Sequence, residues 1–272
     1  SLNGWLTPFD TGLGNWSAAA SNYMFGFQRL DNSVTYVSPA YKGLRLHLQY
    51  AFNADIRNDH SSEAGVQNGE EGKSSADRYW AVAATYKQGP ADFSLVVDGY
   101  NWSSDIAKNY DAGVSGFDDA LAATGGGSWN FGFMKVYGGF QWFQNAWKNW
   151  IGGGLYKVNT SGDTQGVFGR DRFQDGWAAT AGVDFSLYGG LVSIGIARLE
   201  SESSLSGDDS ETERTGLSLA YTYPLSKKTS VYWIGSWMHD EHENVYNARH
   251  ERIGDKDKTD GFESAVGLFM WF

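Results

Sequence analysis

The strongest constraint on the fold is an alternation of apolar and polar residues that recurs along the chain. It is clearest in "LRLHLQYAF", residues 44–52, where three leucines and two aromatic residues alternate with Arg45, His47, Gln49 and Ala51. A period of two residues predicts a β-strand with one apolar and one polar face. The apolar face would be turned to a core in a soluble protein and to lipid in a membrane barrel.

The whole chain repeats a unit of strand, short turn, strand and long connection. The pattern predicts one all-β domain over residues 1–272, with no helix and no domain boundary. Prolines and a glycine pair mark the short turns, at Pro39, Pro90, Pro224 and Gly189–Gly190. The eleven predicted strands are residues 32–38, 44–54, 78–87, 93–102, 128–135, 136–144, 176–187, 191–199, 215–223, 230–238 and 264–272.

Composition favours a membrane barrel over a soluble β-protein. The aromatic share of 16% is high, yet the mean hydropathy is only −0.43. A transmembrane barrel combines these two properties, because half of each strand and all of its loops are polar. No apolar run approaches the roughly 20 residues that a membrane helix needs. The net charge of −11 argues against nucleic-acid binding, which requires basic patches.

Charge distinguishes the two ends of the predicted barrel. Most of the 32 acidic residues fall in the long connections, which are residues 55–77, 103–127, 146–175, 200–213 and 240–263. The short turns carry lysines instead, at Lys42, Lys87, Lys135, Lys227 and Lys228. Outer-membrane barrels have long external loops and short periplasmic turns. We therefore predict a transmembrane antiparallel β-barrel with a periplasmic C-terminus and an acidic outer mouth that concentrates cations at low salt.

The barrel interpretation assigns a direction to the side chains. Leucines 44, 46 and 48 face lipid, whereas Arg45, His47, Gln49, Asp98 and Asp184 line the lumen. Tryptophans near the strand ends are expected in an aromatic girdle rather than in a ligand site. These tryptophans are Trp80, Trp102, Trp129, Trp142, Trp177, Trp233 and Trp237.

The stretch "MHDEHENVYNARH", residues 238–250, is the most enzyme-like part of the sequence. His239 and His242 would point to opposite sides of an extended segment, and no cysteine or third clustered histidine completes a zinc set. We interpret the stretch as a solvated outer loop and expect no cofactor. Asp208, Asp209 and Glu211 are weak candidates for a Ca²⁺ or Mg²⁺ site in an acidic outer loop.

Several motifs extend across most of the chain in a recognisable order. They are "RLDNSVTYVSPAYKGLRLHLQYAF" (29–52), "WAVAATYKQGPADFSLVVDGY" (80–100), "MKVYGGFQ" (134–141), "YTYPLSKKTSVY" (221–232) and the terminal phenylalanine of "GLFMWF". In this order they resemble the general diffusion porins of Gram-negative bacteria, in the form common among β-proteobacteria. The resemblance implies a 16-stranded outer-membrane barrel of which this chain supplies about eleven strands. It also implies a non-enzymatic channel for small hydrophilic solutes and ions, usually a homotrimer, surrounded by outer-membrane lipids and lipopolysaccharide.

Two alternative functions remain open beside the channel. One is an outer-membrane barrel enzyme such as a protease or phospholipase, which needs a fixed Ser–His or Asp–His arrangement. Only His47 has a predicted direction that allows this. The other is a soluble sugar-binding β-sandwich.

The strand count conflicts with a closed barrel made by these eleven strands alone, because single-chain bacterial barrels have an even number. In the family that the motifs resemble, the third loop precedes the "NSV-Y-SP" strand. The resemblance therefore makes residues 1–31 the constriction-loop segment, residues 32–272 the barrel strands and loops, and leaves the remaining strands to a second chain or a missing N-terminal segment. Asp10 and Asp31 would then face Arg29, Arg45 and His47. Alternatively "SNYMFGFQR", residues 21–29, forms a twelfth strand that closes a smaller barrel.

Overall fold

The chain forms a single antiparallel sheet of eleven strands in the part that the structure describes. The computed structural model describes residues 5–9, 16–24, 30, 32–52, 78–101, 118–147, 173–204, 209–246 and 252–270. Each strand pairs with its neighbours in the chain, so that the order is β1 to β11 without crossovers. No helix in these ranges is long and apolar enough to cross a membrane. The strands are β1 (Ser33–Val37), β2 (Leu44–Ala51), β3 (Arg78–Gln88), β4 (Ala91–Asn101), β5 (Ala120–Asn130), β6 (Met134–Trp147), β7 (Phe173–Leu187), β8 (Gly190–Ser203), β9 (Glu211–Ser226), β10 (Thr229–Tyr246) and β11 (Arg252–Met270).

This topology confirms the predicted all-β antiparallel fold, and the described ranges contain eleven strands, the number predicted. All described strands belong to one sheet, which contradicts the alternative of a sandwich of two packed sheets. Short turns join β1 to β2, β3 to β4, β5 to β6, β7 to β8 and β9 to β10, and the longer connections all lie at the opposite end. The last strand runs toward the short-turn end.

The register divides the sheet into two faces of opposite chemistry. We define the inner face as the one that carries Thr85, Thr180 and Ser218, and the outer face as the other. Thr85 and Ser218 are 5% and 0% exposed, whereas Leu46 and Leu48 on the outer face are 51% and 46% exposed. The leucines of β2 thus share the outer face, and Arg45, His47 and Gln49 share the inner face. Of the tryptophans predicted for the girdle, all except Trp102 are described, and all of these lie on the outer face.

The predicted boundary between the fifth and sixth strands is wrong. The sequence predicts strands at 128–135 and 136–144, but β5 begins at Ala120 and the turn falls at residues 131–133. The run Gly125–Gly127 is typical of a loop because glycine weakens a strand. In the sheet these glycines pair with Phe140, Gly139 and Gly138 of β6. The ladder thus overrides the local propensity.

The predicted outer loop over residues 240–263 is also wrong, because most of it belongs to β10 and β11. The register places Glu241 opposite Lys258 and Glu243 opposite Lys256. The Nζ–Oε distances in these pairs are 2.6 and 2.7 Å. Opposite charges facing each other across an antiparallel pair stabilise it by about 0.2–1 kcal/mol. The two strands therefore extend well past the 9–11 residues that cross a bilayer.

The alternative of a twelfth strand over residues 21–29 is contradicted in its described part, residues 21–24. Ala20–Asn22 form a one-turn 3-10 helix, in which the Tyr23 N–H donates to the Ala20 carbonyl over 3.1 Å. The Asn22 side-chain amide donates to the Ser17 carbonyl over 2.8 Å. These local bonds occupy the backbone groups that a sheet ladder would need.

The extended β10–β11 hairpin generates a prediction about hydrogen exchange. Amides of residues 240–246 and 252–260 should remain protected as long as those of residues 230–238, because all three stretches belong to one ladder. Hydrogen–deuterium exchange with mass spectrometry on the protein in detergent measures this. Complete exchange of residues 240–246 at the earliest time point would show that they form a loop.

Candidate functional site

An N-terminal segment lies on the inner face of the sheet. This inserted segment comprises residues 5–9 and 16–24, and Leu6, Phe9 and Tyr23 in it are fully buried. Thr180 of β7 donates its hydroxyl hydrogen to the Leu6 carbonyl over 2.9 Å. The Ala18 N–H donates to the Ser218 hydroxyl of β9 over 2.8 Å. The segment is thus fixed to β7 and β9, which are separated in the sheet by β8 alone.

Two further hydrogen bonds define the shape of the inserted segment. The Thr7 hydroxyl donates to the Ala18 carbonyl over 2.8 Å, so that the two parts of the segment are joined to each other. The Trp16 N–H donates to a Glu263 carboxylate oxygen of β11 over 3.0 Å. The hydrogen bonds of the segment therefore extend from β7 to β11, the last strand of the sheet.

A buried ion pair holds the end of the inserted segment. Arg214 of β9 and Asp240 of β10 form a two-pronged pair with N–O distances of 2.6 and 2.8 Å, and their side chains are only 6% and 1% exposed. A third guanidinium N–H donates to the Asn22 carbonyl over 2.9 Å. A buried charge needs both a partner and full hydrogen bonding. The carbonyl of the segment supplies part of that bonding.

Tyr23 packs against the wall next to this ion pair. Burial raises the pKa of Tyr23 well above its usual value, against the opposing effect of the Arg214 charge. The phenol is therefore neutral at physiological pH. Its hydroxyl has no hydrogen-bond partner within the described ranges and lies close to Gly216. Its contribution is thus one of packing.

A mixed-charge cluster occupies the inner face near the short turns. Lys87 and Lys135 lie 3.6 and 3.8 Å from the two carboxylate oxygens of Asp92. The Tyr137 hydroxyl donates to Asp184 over 2.7 Å. The inner face at this level thus carries both signs of charge.

Predicted lumen residues on β2 lie on the inner face. Arg45 is exposed there, and His47 and Gln49 are half-buried. His47 Nε2 is 2.9 Å from the Thr85 hydroxyl, and the Gln49 side-chain amide donates to the Ser33 hydroxyl over 3.5 Å. A threonine hydroxyl therefore occupies the position that a catalytic serine would need beside His47.

The two predicted lumen aspartates differ in exposure. Both lie on the inner face, and Asp184 is half-buried. Asp98 is only 3% exposed and accepts a hydrogen bond from the Tyr79 hydroxyl over 3.2 Å. Asp98 is thus part of the packed wall rather than of an open surface.

Four of the residues predicted for a site lie outside the described residues. They are Asp10, Arg29, Asp31 and Asp208. The predicted arrangement of constriction charges therefore stays a prediction. Asp209 and Glu211 are exposed at the start of β9, and no three His, Asp or Glu side chains group as metal ligands in the described part of the chain. A divalent cation in the acidic loops stays a prediction.

Many acids expected in loops lie on strands and face outward. Glu200, Glu213 and Glu241 are directly opposite one another on β8, β9 and β10. Arg198 binds Glu200 and Glu213 over 2.8 and 2.7 Å. These charges are on the outer face and partly neutralised, so they contribute less to the field at the channel mouth than the sequence predicts.

Comparison with known proteins agrees with this geometry. A family model described as Gram-negative porin matches residues 2–241. The chain belongs to the Gram-negative porin family. An outer membrane porin protein of Bordetella pertussis is 29% identical over 244 residues, which cover 86% of this chain and 58% of that protein. The predicted family resemblance and the outer-membrane location are thereby confirmed.

Two solved structures of outer-membrane proteins share the fold. An anion-selective porin from Comamonas acidovorans is 19% identical with a TM-score of 0.53, covering 96% of this chain and 66% of that one. The outer membrane protein OmpT of Vibrio cholerae, in its trimer form, is 12% identical with a TM-score of 0.51, covering 98% and 74%. This chain therefore spans less than two thirds of the Bordetella and Comamonas porins.

Sequence reasoning missed the Arg214–Asp240 pair of this porin chain. The predicted outer loops are 200–213 and 240–263, so neither Arg214 nor Asp240 was assigned to the inner or the outer face. A readable signal exists: Arg214, Gly216 and Ser218 alternate with larger residues and share the inner face. Continuing the alternation by one residue beyond the predicted strand 215–223 would have placed Arg214 inside.

The buried pair generates a stability prediction. Arg214→Met or Asp240→Leu alone should cost about 3–5 kcal/mol, because each leaves one buried charge without its partner. The double variant should cost much less than the sum, since no unpaired charge remains. Guanidinium unfolding in detergent micelles measures all three.

A matched control is Arg198→Met, on the neighbouring strand but the outer face. Its ion pairs are exposed, so its cost should be at most about 1 kcal/mol. Equal losses for the Arg214 and Arg198 variants would contradict the importance of the buried pair.

Proposed function

We propose that this chain forms most of the wall of a water-filled outer-membrane channel through which small hydrophilic solutes and ions diffuse passively. The supporting observation is that the polar face of the sheet is turned inward and the apolar face outward, the reverse of a soluble protein. Small and polar side chains such as Thr85, Thr124 and Ser218 cover the inner face, and large apolar side chains are exposed outside. A soluble protein would bury the apolar face, whereas a lipid-embedded wall exposes it.

The channel needs no reacting group, because its selectivity comes from width and wall charge. Family membership favours this non-enzymatic function over a barrel protease or phospholipase. The inner-face histidine His47 contacts Thr85, and His242 contacts Thr212, which are structural partners rather than a nucleophile and its base.

We further propose that the inserted segment, as part of residues 1–31, constricts the channel. Its support is its position on the inner face between β7 and β11, held by Thr180, Ser218 and Glu263. A body of this kind reduces the free cross-section where it lies. In this proposal Arg45 and the Lys87–Lys135 cluster face it as part of the wall and contribute to selectivity.

Further strands are proposed to complete the barrel beside β1 and β11. In the described residues these two strands pair on one side only. An unpaired backbone polar group in hydrocarbon costs several kcal/mol, so neither edge is tolerable in a bilayer. The greater length of the Bordetella and Comamonas porins supports additional strands, from this polypeptide or from a second one.

We propose that the protein is surrounded by outer-membrane lipids and lipopolysaccharide, with the C-terminal end of β11 in the periplasm. The short turns and that end lie on the same side of the sheet, and short turns are typically periplasmic.

A homotrimer is proposed from the apolar outer surface of β11. Val266, Leu268 and Met270 there are more than half exposed. Contact with a second copy would cover them. Mass measurement of the purified protein in mild detergent should give three copies, and a uniform monomer would contradict this assembly.

The channel itself is tested in planar bilayers. The purified protein should produce discrete, water-filled conductance steps. Under a KCl gradient the reversal potential should show a mild cation preference that fades as salt rises, because exposed charges are screened within about 10 Å at 0.1 M. A complete, folded barrel that does not conduct would disprove the channel. Anion preference at low salt would show that arginines and lysines of the inner wall dominate the field.

A further inference from the structure

Five wall glycines lie beneath the inserted segment, one on each of five neighbouring strands. We name them the glycine trough: Gly126 (β5), Gly139 (β6), Gly182 (β7), Gly195 (β8) and Gly216 (β9). The register places Gly126 opposite Gly139 and Gly182 opposite Gly195. The trough thus contains two directly paired couples, and Gly216 lies two residues from Ser218, the partner of Gly195 on β9.

An atom of the inserted segment occupies the space that a side chain would need at each of these positions. A Cβ atom on Gly139 would lie 3.0 Å from the Leu6 Cβ, and one on Gly195 would lie 2.7 Å from the Phe9 ring. Carbon atoms in contact prefer about 3.5–4.0 Å. The segment thus lies closer to the sheet than any residue larger than glycine allows.

The contrast with a neighbouring glycine shows that this closeness is local. Gly138 is adjacent to Gly139 in β6 but on the outer face, and a Cβ atom there would meet nothing within 4 Å. Gly139 therefore lies directly against the inserted segment, whereas Gly138 does not.

We propose that the glycine trough sets how closely the inserted segment approaches the wall and thereby sets the free width of the channel. This rests on the channel function proposed above. The sheet is fixed by its hydrogen-bond ladder, and the Phe9 ring is fully buried, so an added methyl group is not easily accommodated by the wall or by rotation of that ring alone. The segment is the body that moves, and it moves away from the wall into the lumen. The trough glycines are thus positioning residues for solute size.

Gly195 provides the cleanest test. The atoms nearest to its missing Cβ all belong to Phe9 and Ala18 of the segment. At Gly126 and Gly182 backbone oxygens of neighbouring strands are also close, so a substitution there would disturb the sheet itself. Gly195→Ala should lower the single-channel conductance by on the order of a tenth or more, because a contact of 2.7 Å must open by about 1 Å.

A second, compensating substitution distinguishes displacement of the segment from a general disturbance of the fold. Adding Phe9→Ala to Gly195→Ala removes the clashing ring and leaves only an ordinary 3.5 Å contact with the Ala18 Cβ. This double variant should regain the lost conductance. Gly138→Ala is the matched control and should conduct like the unsubstituted protein.

The conductance of the variants tests the role of the trough, and the conductance of the unsubstituted protein tests the channel function. Circular dichroism and thermal melting establish that each variant is folded, and Gly216→Ala, which meets Tyr23, provides a second position should Gly195→Ala not fold. If the unsubstituted protein conducts and both trough variants conduct like Gly138→Ala, the trough does not set the width. Absence of conductance in the folded unsubstituted protein would disprove the channel itself.

Discussion

Backbone hydrogen bonding in a medium without water is the constraint on which the rest of this structure depends. Inside hydrocarbon, each strand must satisfy its amide and carbonyl groups on its neighbours. The uninterrupted order from β1 to β11 meets that requirement for β2 to β10, each of which pairs on both sides. Once the ladder exists, side chains alternate strictly between two environments, so the apolar outside and the small, polar inside follow from the same hydrogen bonds.

The sequence alone predicted the elements in which alternation is clean. In β2, Leu46 and Arg45 differ enough for both the strand and its faces to be assigned. In β8 the alternation is blurred, because Ile196 lies outside while Leu199 lies inside, in the same buried cluster as Phe9 and Tyr23 of the inserted segment. A face that is partly covered by its own chain accepts apolar residues, and the polar–apolar contrast is then lost.

Two predicted strand boundaries are wrong for a different reason. These strands are stabilised by pairing with other strands rather than by the propensity of their own residues. Gly125–Gly127 have weak strand propensity and are held by β4 and β6. The charged ends of β10 and β11 are compatible with solvent, and only their cross-strand partners make them a hairpin. The Arg214–Asp240 pair belongs to the same class, because the register that joins the two residues cannot be derived from either residue's neighbours. The family motifs supplied the fold without supplying these contacts.

The attachment of the inserted segment also has a consequence for the order of folding. Its hydrogen bonds to Thr180, Ser218 and Glu263 join residues separated by 174, 200 and 247 positions in the chain. Contacts of such high sequence separation carry a large loop-closure cost and form slowly. The adjacent hairpins of the wall need no such closure. The N-terminal part of the chain therefore finds its place only after the C-terminal strands exist, although it is synthesised before them.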